Sequence, residues 1–514
     1  MQIKILWADD EIDLLKPHIL FLEAKGYEVT PVNNGMTAVE KSENEDFDII
    51  FLDENMPGIT GLEALTKIKQ NKPHVPVVMI TKSEEEYIME EAIGSNIADY
   101  LIKPVNPNQI LLSIKKSLDK TKLVTQKTNS SYQQEFRELG MQLNSRLDIE
   151  EWSEVYEKLV YWELRLNDIE DSGMKEILEM QKKEANTQFS KFIENNYLDW
   201  LNGVEEGPQM IHDLFKRRIN PKLDEGDLFV IVIDNLRFDQ WKMLQPIFAK
   251  YYTIQSEEIV YSILPTATQY ARNSFFAGMM PSEIAKKYPQ YWRNEEDEGG
   301  KNMFEDELLN EQLKSLNRQV KHSYNKITNL AAGKKLADNF SQLLTNELNV
   351  IVYNFVDMLS HARTEMEVIK ELAGDESAYR SLTVSWFEHS PLHDIVKKIA
   401  ASGKRLVITT DHGTVRVANP VKIVGEKSTN TNLRYKTGRS LSYKDKDVFQ
   451  IKDPLEGFLP KTSINSEFVF ARDQDFFVYP NNYNHFVKYY NDTFQHGGIS
   501  LEELLIPYIE LVPK

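Results

Sequence analysis

Two sets of side chains in this 514-residue sequence have the types and positions to do chemistry. The first is Asp9, Asp10, Asp53, Thr81 and Lys103. Three carboxylates in one crevice repel one another unless they share a cation, and Mg2+ is the hard, oxygen-seeking ion that suits them. A carboxylate beside Mg2+ can attack a phosphoryl donor, and an ammonium and a hydroxyl can hold the added charge. The second set is Asp234, Thr266, Thr268, Asp357, His361, Asp411, His412 and His496. The chain has no cysteine, which excludes disulfides, thiolate zinc sites, iron-sulfur clusters and thiol nucleophiles. Any transition-metal site must then be built from imidazole and carboxylate, a mixture that suits Zn2+ or Mn2+ better than Mg2+. Counting Thr268, the ligand-type side chains divide into two groups, and two metals about 4 Å apart stabilise both the attacking and the leaving oxygen of an in-line phosphoryl transfer. A free threonine hydroxyl is a poor nucleophile, and metal coordination removes that difficulty at Thr268, which opens a helix.

The elements that must position these groups fall into three regions. Residues 1–120 alternate apolar runs such as IKILWA, DIIFLD, VPVVMIT and ADYLIKP with amphipathic segments, among them GLEALTKIK and EEYIMEEAIG. Such alternation predicts a doubly wound parallel sheet, with the first reactive set at the carboxyl ends of its strands. One Asp at a strand end is as often a helix cap; five polar groups at successive strand ends are not coincidence. Residues 121–205 begin with a polar TQKTNSSYQQ stretch and continue with helical periods, in which Leu159, Trp162 and Leu166, and Phe189, Phe192 and Ile193, recur at spacings of a helix face. Those stripes predict a small helical bundle without chemistry, relaying the state of the first region to the third. Residues 206–514 return to an α/β pattern. There LFVIVID ends at Asp234, PTAT precedes a helix, NVIVYNFVDMLSH gives Asp357 and His361, LVITTDHG gives Asp411 and His412, and FQHGGIS gives His496.

Charge narrows the function classes. The formal net charge of −19 argues against a general nucleic-acid coat held by phosphate neutralisation. The acidity is uneven, however: 12 basic and 21 acidic residues lie in 1–120, but 38 and 41 in 206–514, so the third region is nearly neutral before any metal is counted. A phosphodiester substrate is compatible with that region. The start, MQIKILWADDE, lacks the basic and apolar segments of a signal peptide, and no run approaches the roughly 18 apolar residues of a membrane helix. The expectation is a cytoplasmic protein without membrane insertion.

The first set resembles that of response-regulator receiver domains over all of residues 1–120. The resemblance implies that Asp53 is the phospho-acceptor, that Asp9 and Asp10 organise magnesium with it, that Thr81 and Lys103 contact the phosphoryl group, and that Tyr100 is the switch aromatic. The second set resembles the PglZ branch of the alkaline phosphatase superfamily, and the order receiver, helical linker, PglZ is similar to the PorX-type regulators of type IX secretion. The fold class implied is α/β throughout: a doubly wound receiver domain (1–120), a helical-bundle linker (121–205) and an alkaline-phosphatase-like α/β domain (206–514). Carried over residue by residue, Asp234, Thr268, Asp411 and His412 form one zinc site, and Asp357, His361 and His496 the other. A sensor histidine kinase and a sigma factor are the implied partners, and a phosphorylation-dependent homodimer the implied assembly.

Sulfatases of that superfamily use a modified cysteine, which this chain lacks. The PTAT segment is similar to the PTxT segment of nucleotide pyrophosphatases/phosphodiesterases, whose second Thr attacks, which favours Thr268 over Thr266 and a nucleotide or oligonucleotide diester over a monoester. The Asn those enzymes place beside the phosphate has no assigned counterpart; Arg272 and Asn273, on the same helix, are candidates. Tyr435, Lys436, Arg439 and Tyr443 interleave basic and aromatic residues, a pattern that suits phosphate contacts with base stacking and equally a solvated loop. Phosphomonoesterase activity and a non-enzymatic signalling scaffold with structural metals are the competing readings. No helix-turn-helix or basic recognition helix is visible in the sequence, so direct DNA readout is the weaker form of the second.

Overall fold

The computed structural model describes residues 3–82, 97–167, 172–366, 371–426 and 430–514. The chain divides into two compact units, Met1–Glu135 and Phe136–Lys514. The segment EEYIMEEAIG lies outside the described residues.

In the first unit β1 (Lys4–Ala8), β2 (Glu28–Val32), β3 (Ile49–Asp53), β4 (Val77–Thr81) and β5 (Asp99–Ile102) form one parallel sheet in the order β2-β1-β3-β4-β5. Side chains alternate across a strand, so a strand buried on both faces must be apolar throughout. Leu6 and Ala8, Ile50 and Leu52, and Val77 and Met79 enter one core. Ile5 and Trp7, Ile49 and Phe51, and Val78 and Ile80 enter the core on the opposite face. The helix Gly61–Asn71 starts at a reciprocal cap, with the Thr60 hydroxyl accepting from Glu63 N and the Glu63 carboxylate from Thr60 N.

A single helix runs Pro107–Leu143, through the polar TQKTNSSYQQ stretch that the sequence suggests is a linker. The stretch is polar but holds no proline, and buried Tyr132, Leu139 and Leu143 give this end of the helix an apolar stripe. The helices Ile149–Asn167 and Ser172–Leu201 follow, and they belong to the same compact unit as the C-terminal sheet.

That sheet has six strands. β6 (Leu228–Ile233), β8 (His322–Ile327), β9 (Leu348–Tyr353) and β10 (Arg405–Thr409) run parallel, while the C-terminal strand Leu505–Pro513 lies antiparallel between β10 and β7 (Tyr252–Tyr261). Every residue of β6 and β9 is buried. Between β10 and the C-terminal strand, residues 415–495 build three small sheets with their own apolar clusters, around Val415 and Phe476 and around Ile423 and Phe477. The insertion is therefore folded rather than a solvated loop.

Candidate functional site

In the first unit, four neighbouring strands deliver the first reactive set to one edge: Asp9 follows β1, Asp53 closes β3, Thr81 closes β4 and Lys103 follows β5. Ligand oxygens of Asp9, Asp10 and Asp53 lie within 4.8 Å of one another. Lys103 Nζ stands 2.7 Å from Asp9 Oδ2 and 3.0 Å from Asp53 Oδ1. Asp9, Asp53 and Thr81 are buried, whereas Asp10 is exposed. Burial pushes the Asp53 carboxyl up to about 6 against the pull of Lys103, with Asp9 and Asp10 adding to the rise. An added cation would lower it again. Tyr100 on β5, in register with Met79, packs part-buried against the core.

The second set converges at the carboxyl ends of β6, β9 and β10. Two ligand groups form, Asp234 with Asp411 and His412, and Asp357 with His361 and His496, the ligand atoms of each group lying within 4.8 Å of one another. Asp357 and His361 share a face of the helix Phe355–Glu365, so their i, i+4 spacing brings His361 Nε2 to 3.5 Å from Asp357 Oδ1. His496 Nε2 lies 3.6 Å from the same oxygen. The rings of His412 and His496 stack with centroids 4.3 Å apart, so the two groups are adjacent. Thr268, the first residue of the helix Thr268–Ala277, places Oγ1 3.3 Å from Asp234 Oδ1 and 3.1 Å from His412 Nε2.

Hydrogen bonds behind these groups leave one atom of each principal ligand unclaimed. His412 Nδ1 faces the Gly413 carbonyl at 3.0 Å and His496 Nδ1 the Thr266 carbonyl at 3.1 Å. A ring nitrogen that donates to a carbonyl carries the proton, so Nε2 of both rings presents a lone pair. Asp234 Oδ2 accepts from Arg272 at 2.6 Å and Asn354 at 2.8 Å, leaving Oδ1 toward Thr268. Asp411 Oδ1 accepts from the backbone N of Asn235 at 3.2 Å and of His412 at 3.1 Å, while Asp411 Oδ2 is buried with no hydrogen bond. A carboxylate oxygen without a hydrogen bond, beside imidazole nitrogens whose lone pairs face the Thr268 side of the site, is a donor set that fits divalent cations. The electrostatics agree: burial pushes Asp234 and Asp357 up to about 6, and burial with the neighbouring His412 and His361 pushes His496 well below the usual imidazole range.

Thr266 has a different task from Thr268. Its hydroxyl donates to the Gly498 carbonyl at 2.9 Å and accepts from Gly497 N at 3.0 Å, fastening the His496 loop. The candidate substrate contacts are mostly engaged with protein. Arg272 is buried between Asp234 and Glu305, with Nε 2.5 Å from Glu305 Oε1. Asn273 Nδ2 donates to the Gln269 carbonyl at 2.8 Å and the Lys301 carbonyl at 3.1 Å. Tyr435 donates to Glu295, which also accepts from Tyr270 at 3.0 Å, and Lys436 is buried with Nζ 2.8 Å from the Asn430 carbonyl. Tyr443 bonds Gln450 and Glu467, and Arg439 is exposed. Sequence reasoning did not assign Asn235, Asn354, Asn302 or Glu305. Asn235 adopts φ 65°, a left-handed conformation that Asn tolerates, and the Asp-Asn pair ending an apolar strand is the signal that points to it. Asn302 Nδ2 donates to the Thr268 carbonyl at 2.9 Å, a contact no local pattern announces. A further carboxylate group, Glu163, Asp239 and Glu376, is filled by Arg237, Arg380 and Lys182 and has no vacancy for a metal.

Residues 214–511, more than half of the chain, match the family described as the BREX system PglZ alkaline phosphatase-like domain. The chain belongs to this PglZ family. Upstream of the PglZ domain, residues 5–115 match the response regulator receiver domain and residues 122–201 the PorX response regulator linker domain, the order of a PorX-type response regulator. Curated relatives match over parts of the chain. The transcriptional regulatory protein ZraR of Klebsiella oxytoca is 34% identical over 122 residues, 24% of this chain and 28% of that protein. ResD of Bacillus subtilis is 32% identical over 112 residues, 22% of this chain and 46% of that protein. The chain thus spans less than half the length of either relative. Among solved structures, a CheY-like receiver domain from Methanospirillum hungatei is 30% identical with a TM-score of 0.23, over 24% of this chain and 98% of its own. CheY4 of Vibrio cholerae is 28% identical with a TM-score of 0.22, over 23% and 100%. Among the described residues no helix is long and apolar enough to cross a membrane.

Proposed function

We propose that this protein is a two-component regulator in which phosphorylation of Asp53 controls a two-zinc phosphodiesterase acting on nucleotide or oligonucleotide diesters, in the service of type IX secretion. The observation that carries the reading is the pairing of two adjacent ligand groups, the first of which meets a threonine hydroxyl through Asp234 and His412. Asp234, Thr268, Asp411 and His412 would hold one cation, and Asp357, His361 and His496 the other. When bound, zinc supplies positive charge for the phosphoryl oxygens and makes a hydroxyl easier to deprotonate, with manganese the other ion of this ligand preference.

The chain's own residues then do the following. Asp234 and His412 orient the Thr268 hydroxyl, which gives its proton to solvent water and attacks phosphorus in line, and the departing oxygen takes a proton from solvent in turn. The Oγ1–P bond forms as the bond from phosphorus to the leaving oxygen breaks, giving a phosphothreonine. Water attacks the same phosphorus, the Oγ1–P bond breaks, and two inversions retain configuration overall. Glu305 through Arg272, and Thr266 through His496, keep the ligands in place. In the receiver, Asp53 takes the phosphoryl group with Asp9 and Asp10 around magnesium, Lys103 and Thr81 hold it, and the altered surface forms a homodimer. A sigma factor is the partner that the kinship with PorX-type regulators suggests.

One assay tests both halves. Zinc-loaded protein is given a generic diester, a monoester and short oligonucleotides, with and without an acyl phosphate donor, while its mass is followed by sedimentation. Diester turnover should exceed monoester turnover, Thr268→Ala should cut it by at least about 100-fold with zinc retained, and the donor should raise the mass only when Asp53 is present. Unchanged turnover in Thr268→Ala would sink the nucleophile, and activity on none of the substrates would leave a scaffold.

A further inference from the structure

The helices Ile149–Asn167 and Ser172–Leu201 supply none of the ligands of the two groups beside Thr268, yet their polar side chains reach the segment before Thr268, the helix Leu501–Leu504 beyond His496 and, through Glu163, the helix Glu376–His389. Tyr197 is buried, and its hydroxyl accepts from Leu264 N at 2.9 Å, on the segment that leads into Thr268. Asn186 is buried too; Nδ2 donates to Glu502 Oε2 at 3.0 Å and Oδ1 accepts from Leu501 N at 2.7 Å, just beyond the His496 loop. Lys182 Nζ stands 2.6 Å from Glu163 Oε2 and 3.8 Å from Glu502 Oε1. Glu163 in turn accepts from Arg380, whose Nη1 also reaches Asp239 Oδ2 at 3.0 Å. Asp239 is bonded by Arg237 Nε at 2.9 Å, and Arg237 pairs with Glu376 at 2.6 Å. Arg237 is the N-cap and Asp239 lies in the first turn of the helix Phe238–Phe248, which follows Asp234 and Asn235.

A chain of buried and half-buried charges thus runs from the linker helices to the start of the helix that follows Asp234 on one side and to the helix beyond His496 on the other. Burying ions costs desolvation energy that a well-packed apolar contact avoids, and removing one partner strands the rest. Such a network contributes little net stability for its cost, but it fixes the register of the groups it joins. Tyr156 from the same helices packs against Phe238 with ring centroids 6.0 Å apart, so apolar contact was available at this interface.

We propose that Glu163, Lys182, Asn186 and Tyr197 are positioning residues of the catalytic centre, setting the separation of the Asp234, Thr268 and His496 loops so that a shift of the linker helices changes the site's grip on its cations. The inference rests on the reading that Asp234, Asp411, His412, Asp357, His361 and His496 hold zinc.

The test uses the full chain with zinc alone as the probe, titrated in competition with a chromogenic chelator, and near-ultraviolet dichroism as the check on folding. Lys182→Met should remain folded and bind zinc at least about tenfold more weakly, the size of effect that groups behind a metal ligand have; Lys182→Arg should restore most of it. Tyr197→Phe removes one hydroxyl without charge and stays informative where Lys182→Met does not fold: its kcat on a diester should fall about tenfold at unchanged KM. Folded variants that bind zinc like the wild type, or wild-type kcat in Tyr197→Phe, overturn the inference alone. A wild-type chain that takes up no zinc overturns the metal reading and this inference with it.

Discussion

At the scale of single residues, the site is built by giving each carboxylate one oxygen to the protein and keeping the other, as Asp234 and Asp411 do. Charge without such compensation appears at Asp473, which is buried near Glu502 and Asp475 and accepts from the Thr187 hydroxyl at 3.2 Å. Burial first, then those two carboxylates, push it up to about 6. A carboxyl whose folded pKa is raised binds its proton more tightly folded than unfolded, so its contribution is favourable at low pH and is lost as pH rises from about 4 through about 6. Asp473→Asn removes the charge and suits the φ of 44° at this position. It should stabilise the protein by about 1–3 kcal/mol at pH 8 and by close to nothing at pH 4. Urea unfolding at both pH values measures this, and an equal gain at each would contradict the electrostatic cause.

At the scale of elements, the strands were legible because a buried parallel strand must be apolar and must end where polar groups begin, as at Asp53, Asp234 and Asp411. The run NVIVYNFVDMLSH gave Asp357 and His361 as candidates after a strand, and the structure sets both on the helix Phe355–Glu365. What stayed hidden depends on contacts distant in the chain. TQKTNSSYQQ has the composition of a linker, and its place in the helix Pro107–Leu143 goes with the burial of Tyr132. Arg272 read as a substrate contact because nothing local announces Glu305 as its partner. Close backbone approach is another long-range fact: a Cβ on Gly413 would lie 2.0 Å from the Glu502 carbonyl oxygen. Gly413 N also donates to the Glu503 carbonyl at 3.1 Å, joining the turn after His412 to the helix beyond His496. Gly413→Ala must therefore push those turns apart. It should cost about 2–3 kcal/mol in urea unfolding and weaken zinc binding in the same titration, whereas Gly203→Ala, at a turn with open space around it, should leave zinc binding unchanged.

At the scale of the molecule, the acidic excess is concentrated in residues 1–205, while the PglZ domain is close to neutral. The two compact units carry separate apolar clusters, and under the proposed function they take different ions, Mg2+ for the carboxylate cluster of the receiver and zinc for the mixed set. A ligand that binds only the folded state stabilises it by RT ln(1 + [L]/Kd), about 2.7 kcal/mol at a hundredfold excess over Kd. Scanning calorimetry should accordingly resolve two transitions. Mg2+ should raise the smaller and a zinc chelator should lower the larger, whose enthalpy should be roughly threefold greater because it scales with residue number. The helices Ile149–Asn167 and Ser172–Leu201 belong to the larger unit, so Trp152, Trp162 and Trp200 should change fluorescence with the zinc-sensitive transition, in a background where Trp7, Trp241, Trp292 and Trp386 are replaced by Phe and only the linker tryptophans emit. Fluorescence that followed the Mg2+-sensitive transition would place the linker with the receiver and break the route by which its helices act on the metal loops.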